Sequence, residues 1–296
     1  AAGASRIFAR NSVGPCSNVE YWKVDMTSYL EQQSEIIERR ALESLHRRCP
    51  AALKSQLGLE WLDVDGVAVS ACAADPSILL NRAIGLGHID ANPAATISAV
   101  AGLYAERGID DYFQHAEDAA FDTAAIGPLA AAGLRRRRGW MKFVNTAPAG
   151  RDVSSTLRVE KVRPETAMEF AAIACRSFGL VNDSIPLVAA LAEDPRWHLF
   201  LSRDGEQVAG TGGLFVDGNS GWLDWAATDP AYRCRGSQSA IMSARLKLSA
   251  NLGCSRVFTE TGEAVKGDPQ HSYSNILKAG FEELALRANY SPTPAS

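Results

Sequence analysis

The sequence predicts an α+β protein made of two similar halves. Three observations carry this. Strand-type and helix-type periodicity alternate twice along the chain in the same order. The turn residues that separate them recur at a near-constant offset. A Pro/Gly/Ser-rich stretch without periodicity, TAPAGRDVSS, lies between the two series.

The elements follow in order. Residues 1–18 show no periodicity and are expected to be flexible. From Tyr29 to His46 the apolar residues Leu30, Ile36, Ile37, Ala41, Leu42 and Leu45 recur every three or four positions, the stripe of an amphipathic helix. LEWLDVDGVAVSACA reads as a hairpin turning at Asp65-Gly66, and ILLNRAIGLG as a buried strand. A helix over Ala94–Arg107 stops at Gly108, IDDYFQH is a short strand, a helix over Phe121–Ala132 stops at Gly133, and GWMKFVN closes the series. After the linker at 146–156, LRVEKVR is a strand and Glu165–Phe178 a helix. Three strands follow, with turns at Asp204-Gly205 and Asp217-Gly218-Asn219. The helix Ser239–Asn251 stops at Gly253, SRVFTETG is a strand, Ser272–Lys278 a helix stopping at Gly280, and FEELALRANYS the last strand.

The repeat is visible in the punctuation. Ala105 to Phe113 lies on Ala250 to Phe258, Ala132-Gly133-Leu134 on Ala279-Gly280-Phe281, and Asp65-Gly66 on Asp204-Gly205. One corner breaks the match. Where the second half has DPAYRCRGSQS, the first has HIDANPA, without arginine or glycine.

Composition limits the function classes. The 296 residues are 46% hydrophobic and 22% charged, ordinary for globular domains. A net charge of −4 offers no general attraction to nucleic acid or to anionic membranes, so any anion site must be local. Cysteines 16, 49, 72, 175, 234 and 254 have no CxxC spacing and no histidine at ligand spacing, so free thiols, no metal and a cytoplasmic location are expected. No apolar run is long enough to span a membrane, and the N-terminus lacks the apolar core of a signal peptide. The run Arg135–Arg138 reads as a solvated turn. His88 and His271 are candidates for cleft walls, as are Trp222 and Trp225.

The corner AYRCRGSQSA joins a strand to a helix. A helix N-terminus offers amides without intrahelical partners and the positive end of a dipole. Gly236 permits close approach, Ser237 is small, and Arg233 and Arg235 add charge-assisted donors. These residue types suit a pyrophosphate. Solvent-facing arginines around an ordinary turn would produce the same letters. Neither a Walker loop nor a GxGxxG fingerprint is present.

The order strand, ATDPAYRCRG, helix, strand, and short helix ending in AGF resembles the GNAT superfamily of N-acetyltransferases. Their acetyl-CoA motif reads Gln/Arg-x-x-Gly-x-Gly/Ala. Arg233, Gly236 and the start of the next helix match it, while Gln238 stands where Gly or Ala is usual. The resemblance covers about residues 157–292. Over 19–145 it holds in outline only, without the cofactor motif. It implies two GNAT-like domains, each a mixed, mostly antiparallel sheet flanked by helices, with acetyl-CoA bound by the second. The pyrophosphate would meet the amides of Cys234, Arg235, Gly236, Ser237, Gln238 and Ser239. The pantetheine would meet the main chain of Ala226, Ala227 and Thr228, with Asn275 near it. Acyl transfer needs a proton acceptor, for which Asp224, Glu260 and Glu263 are candidates. Glu260 is preferred because it follows an apolar run where the strands should part. The family's tyrosine acid falls on Ile276, which leaves Tyr273 and Tyr290 as substitutes.

The implied activity is direct acetyl transfer from acetyl-CoA to a small-molecule amine. A non-catalytic acyl-CoA sensor, transfer to a hydroxyl or thiol, and thioester decarboxylation are alternatives on the same fold. The acceptor and the oligomeric state are not encoded in any motif.

Overall fold

The computed structural model describes residues 18–86, 93–116 and 119–292. Cys16, His88, most of the contrasting corner HIDANPA, the segment expected to be flexible up to residue 17 and the tail 293–296 lie outside the described residues.

The first half runs α1 (Asn18–Arg48), α2 (Ala51–Leu57), β1 (Leu59–Val64), β2 (Val67–Cys72), β3 (Arg82–Ile84), α3 (Pro93–Glu106), β4 (Phe113–Ala116), α4 (Ala119–Ala131) and β5 (Leu134–Asn145). The second runs β6 (Arg158–Lys161), α5 (Ala167–Phe178), α6 (Ile185–Ala189), β7 (Trp197–Asp204), β8 (Gln207–Asp217), β9 (Ser220–Thr228), α7 (Ser237–Asn251), β10 (Arg256–Gly262), α8 (His271–Lys278) and β11 (Glu282–Pro292). Residues 146–157 between them form neither helix nor strand. The α+β class expected from the periodicity is the one observed. The glycines that punctuate the repeat share a backbone state: Gly66 and Gly205, Gly108 and Gly253, and Gly133 and Gly280 all have positive φ. This left-handed conformation, open to glycine at little cost, is why the same letter ends corresponding elements.

Among the described residues the two halves share a sheet instead of carrying one each. One 11-stranded sheet has the order β1-β2-β3-β4-β11-β5-β10-β9-β8-β7-β6. The last strands are exchanged: β11 pairs with β4 of the first half, and β5 pairs with β10 of the second. The two exchanged strands pair antiparallel with each other at the centre. Turn signals cannot reveal this, because a strand's sequence does not encode which edge it joins.

Parallel pairing occurs at β3–β4 and at β9–β10, the same place in each half. Helices α3 and α4 cover one face of the first half, over a core of Val69, Ile97, Tyr104, Leu129 and Tyr290. Helices α7 and α8 cover that of the second, over Phe143, Leu223, Leu246 and Ile276. On the other face α1, α2, α5 and α6 share one core, from Leu45 and Leu57 to Phe170, Leu187 and Trp222. Phe143 of β5 and Tyr290 of β11 each pack in the other half's core, so the exchange buries side chains as well as pairing backbones.

Arg135–Arg138 differ from the expected turn. They lie within β5, where Leu134 to Arg137 pair with Pro292 to Asn289. Their backbone is in the ladder while their side chains are exposed.

Candidate functional site

Strands β9 and β10 are in register only from Ser220↔Arg256 to Trp222↔Phe258. Beyond that pair they part, and a cleft opens. Its cause is a bulge. The β8–β9 register slips between Thr211 and Gly213, opposite Trp225, which has φ 54°. A left-handed non-glycine residue costs roughly 1–2 kcal/mol and must be held. The Thr211 hydroxyl donates to the Trp225 carbonyl at 2.8 Å. The buried Arg245 guanidinium donates to the carbonyls of Gly213 at 3.0 Å and Asp224 at 3.3 Å. Burial lowers the Arg245 pKa to about 10, and Asp224 opposes the shift. The Trp225 ring packs away from the cleft, edge-on to Phe178.

The cleft measures about 790 Å³. Ala226 to Thr228, Tyr232 to Cys234 and Gly236 to Ser239 form one wall; Thr261, Gly262 and Pro269 to Tyr273, with Asn275, form the other. Arg138 of β5 also lines it, so the first half reaches the second half's cleft.

At its mouth the chain turns through a 3₁₀ turn, Pro230–Tyr232, in which the Ala231 amide donates to Asp229 Oδ1 at 3.0 Å. Cys234 and Gly236 take φ 61° and 82°, and α7 starts at Ser237, two residues before the predicted Ser239. Among the described residues the amides of Cys234 to Ser239 donate to no protein acceptor, whereas that of Ala240 reaches the Gly236 carbonyl at 3.0 Å. A row of unpartnered amides at a helix start fits an oxyanion pair. Gln238 leaves its amide open, because its side-chain oxygen instead accepts from Asn275 Nδ2 at 2.7 Å.

The two arginines part. Arg233 lines the cleft and makes no ion pair among the described residues. Arg235 turns away, bonding Asp204 at 2.7 Å and lying over the Tyr232 ring. The linker packs behind the corner: Ser155 Oγ donates to the Arg235 carbonyl at 3.1 Å, and a Cβ on Gly236 would stand 3.0 Å from the Ser154 carbonyl oxygen.

The proton-transfer candidates separate as well. Asp224 sits on β9 beside the bulge, accepting from the Trp225 amide at 2.7 Å and the Trp222 indole at 3.2 Å. Burial raises its pKa; Arg82 and the Trp225 amide oppose that, and Glu260 adds to it. Glu260 is committed to cations: Arg287 at 2.7 Å, Lys142 at 3.0 Å and Arg82 at 3.5 Å. These partners come from other strands, β3, β5 and β11, so the apolar run before Glu260 does not reveal them. Glu263 accepts from the Gly139 amide at 3.0 Å, fixing the loop after β10 to β5. Tyr273 lines the cleft and donates to Glu283 at 2.5 Å; burial, then Glu283, push its pKa up to about 12. Tyr290 does not join them. It lies in the first half's core, opposite Gln114 and Arg136. His271 lines the cleft.

Sequence reasoning missed four residues: Arg82 of β3, Lys142 of β5 and Arg287 of β11, which hold Glu260, and Glu38 of α1, which pairs with the same three cations. The signal was present. Glu38 falls on the apolar stripe of its helix, and Lys142 interrupts the apolar run GWMKFVN. A charge at a core position needs a buried partner.

Residues 168–267, from α5 to the loop after β10, match the sequence model of the acetyltransferase (GNAT) family. No curated protein matches the sequence. Among solved structures, the chain is similar to a GCN5-related N-acetyltransferase from Kribbella flavida, with TM-score 0.55 and 12% identity over 83% of this chain and 95% of that one. It is similar to another from Sphaerobacter thermophilus, with TM-score 0.53 and 15% identity over 71% and 70%. A third is a GCN5-related glucosamine N-acetyltransferase region of a fungal multi-domain GH3 beta-N-acetylglucosaminidase, with TM-score 0.51 and 14% identity over 78% and 31%. At these identities the likeness is one of fold, and it extends beyond either half.

Proposed function

We propose that this chain, whose residues 168–267 carry a GNAT acetyltransferase domain, transfers an acetyl group from acetyl-CoA directly to an amine. The observation that carries the reading is the row of unpartnered amides from Cys234 to Ser239 at the mouth of the β9–β10 cleft. These amides and Arg233 hold the pyrophosphate. The main chain of Ala226, Ala227 and Thr228, freed from β10 by the splay, pairs with the pantetheine amides as an added strand would. Asn275 and Gln238 border that arm.

Asp224 is the proposed base. A raised pKa at the bulge makes it a stronger proton acceptor than an ordinary aspartate, and it carries no ion pair among the described residues. As the amine nitrogen attacks the thioester carbonyl, the N–C bond forms and the C–S bond breaks. Asp224 takes the proton the nitrogen loses, and Tyr273 gives a proton to the departing sulfur. The products are an amide and CoA thiol. Glu260 fixes the charge around Asp224 instead of taking the proton.

The test is release of CoA thiol from acetyl-CoA across a panel of primary amines, alcohols and thiols, with binding measured by calorimetry. Turnover on an amine supports the reading. Turnover confined to alcohols or thiols, or carbon dioxide release from malonyl-CoA, refutes it. One observation favours a second reading, a non-catalytic acyl-CoA sensor: Ile276, where the family places its acid, is buried, and the Tyr273 hydroxyl is bonded to Glu283. Tight binding without turnover on any acceptor would decide for the sensor.

A further inference from the structure

The exchange of β5 and β11 places two residue pairs at equivalent positions. In the β10–β5 ladder Glu260 faces Lys142; in the β4–β11 ladder His115 faces Asn289. The second pair is an uncharged hydrogen bond of 2.7 Å, with His115 fully buried. The first is charged and belongs to a larger cluster. Glu38 of α1 accepts from Arg82 at 2.9 Å and from Arg287 at 2.6 and 3.0 Å, and it contacts Lys142. The same three cations hold Glu260. Glu38, Arg82, Lys142 and Arg287 are at most 5% exposed at their side chains, whereas Glu260 is 15% exposed. One buried carboxylate thus anchors three cations, and the three present one accessible carboxylate next to Asp224.

We propose that Glu38 is a positioning residue of the acyl-transfer site, acting through Arg82, Lys142 and Arg287 to fix Glu260 against Asp224 and to set the charge that Asp224 experiences. This deepens the acetyltransferase reading and rests on it for its catalytic meaning. It gives the first half a role in the chemistry. Three of the four residues come from that half, and Arg287 is on the exchanged strand that lies within it.

The physical argument is one of buried charge. Burial opposes an ionised Glu38, yet Arg287, Lys142 and Arg82 outweigh it and hold its carboxyl well below the ordinary glutamate range. Glu38 is therefore a fixed negative charge. Tryptophan faces confine the cations: Lys142 lies 4.5 Å from the Trp222 ring centre, and Arg82 and Arg287 lie 5.6 and 5.3 Å from that of Trp140. Asp224 is faced by Arg82 from β3, Glu260 from β10, Arg245 from α7 and the Trp222 indole from its own strand. Behind these stand Glu38, Lys142, Arg287 and the buried His115, whose pKa burial and Arg287 lower, so that it is neutral. Removing the Glu38 charge leaves Glu260 as the one carboxylate shared by Arg82, Lys142 and Arg287 among the described residues, and makes the surroundings of Asp224 more positive; removing that of Lys142 does the reverse.

The experiment is titration of Asp224 by carbon-13 NMR in full-length protein labelled at the aspartate carboxyl, with the resonance assigned from Asp224→Asn. Glu38→Gln is expected to lower the proton affinity of Asp224 about tenfold, and Lys142→Gln to raise it by a similar factor. Acetyl-CoA affinity, read by calorimetry, should stay within about twofold in both variants. Turnover on an amine, where found, should show the acidic limb of its pH profile moving in the same two directions. If Glu38→Gln fails to fold, the opposite sign of Lys142→Gln carries the test. An Asp224 titration unmoved in a folded variant overturns the proposal. Failure of the wild type to bind acetyl-CoA overturns the acetyltransferase reading and leaves the Glu38 coupling to be judged by the titration.

Discussion

Replacing Arg233 by alanine tests the cofactor corner at its least structural residue. Arg233 lines the cleft and makes no ion pair among the described residues, so its removal should change folding stability by no more than about 0.5 kcal/mol. Charge-assisted bonds to a phosphate are worth about 1.5–3 kcal/mol, or a loss of roughly 10- to 150-fold in acetyl-CoA affinity. Adding Gly236→Glu places a carboxylate among the open amides. The residue sits at φ 82°, which costs a non-glycine side chain about 1–2 kcal/mol, and its Cβ would stand 3.0 Å from the Ser154 carbonyl oxygen. Melting should therefore fall by several degrees, at about 2–4 °C per kcal/mol, while binding vanishes. Arg235→Ala is the control. Its side chain pairs with Asp204 outside the cleft, so affinity should stay within about threefold. Calorimetry on the three variants decides. An Arg233→Ala affinity within twofold of the wild type refutes the phosphate assignment, and an equal loss for both arginines refutes the division of labour between them.

Asp224→Asn should lower kcat about 10²- to 10⁴-fold with acetyl-CoA affinity unchanged. Because burial raises the Asp224 pKa, its contribution to stability is complete below the ordinary aspartate range and is lost as pH rises through the folded value, so the asparagine variant should melt no lower than wild type at neutral pH. A drop in melting temperature without loss of rate would argue against a base. Tyr273→Phe should cost at least about tenfold in kcat with unchanged binding, since its pKa near 12 keeps the proton available at working pH; an unchanged kcat assigns the proton to solvent. Residues 157–292 expressed alone should aggregate, because β10 loses its partner β5 and exposes a long edge. Co-expression with residues 19–145 should yield a 1:1 complex by size-exclusion chromatography. A folded monomer of the second half alone would mean that the strand exchange is dispensable.

Some of this was decided by the sequence alone. The α+β class, the turn glycines and the strand-to-helix turn at Gly236 were legible because each rests on local chemistry. Helical and strand periods follow from burial of one face. Gly66, Gly133, Gly236 and their counterparts occupy backbone states that other residues rarely take. Unpartnered amides at a helix start are a property of any helix. The tertiary structure decided what depends on partners far along the chain. Arg233 and Arg235 are two residues apart and chemically equal, yet Asp204 draws one of them out of the cleft. Tyr290 was a candidate acid until the exchange carried β11 into the first half's core. Glu260 was the preferred base until Arg82, Lys142 and Arg287 converged on it, and Asp224 was left with the raised pKa. Strand pairing and charge pairing are both non-local: the backbone of any strand can join any free edge, and a buried charge reports only that it must have a partner, not which one.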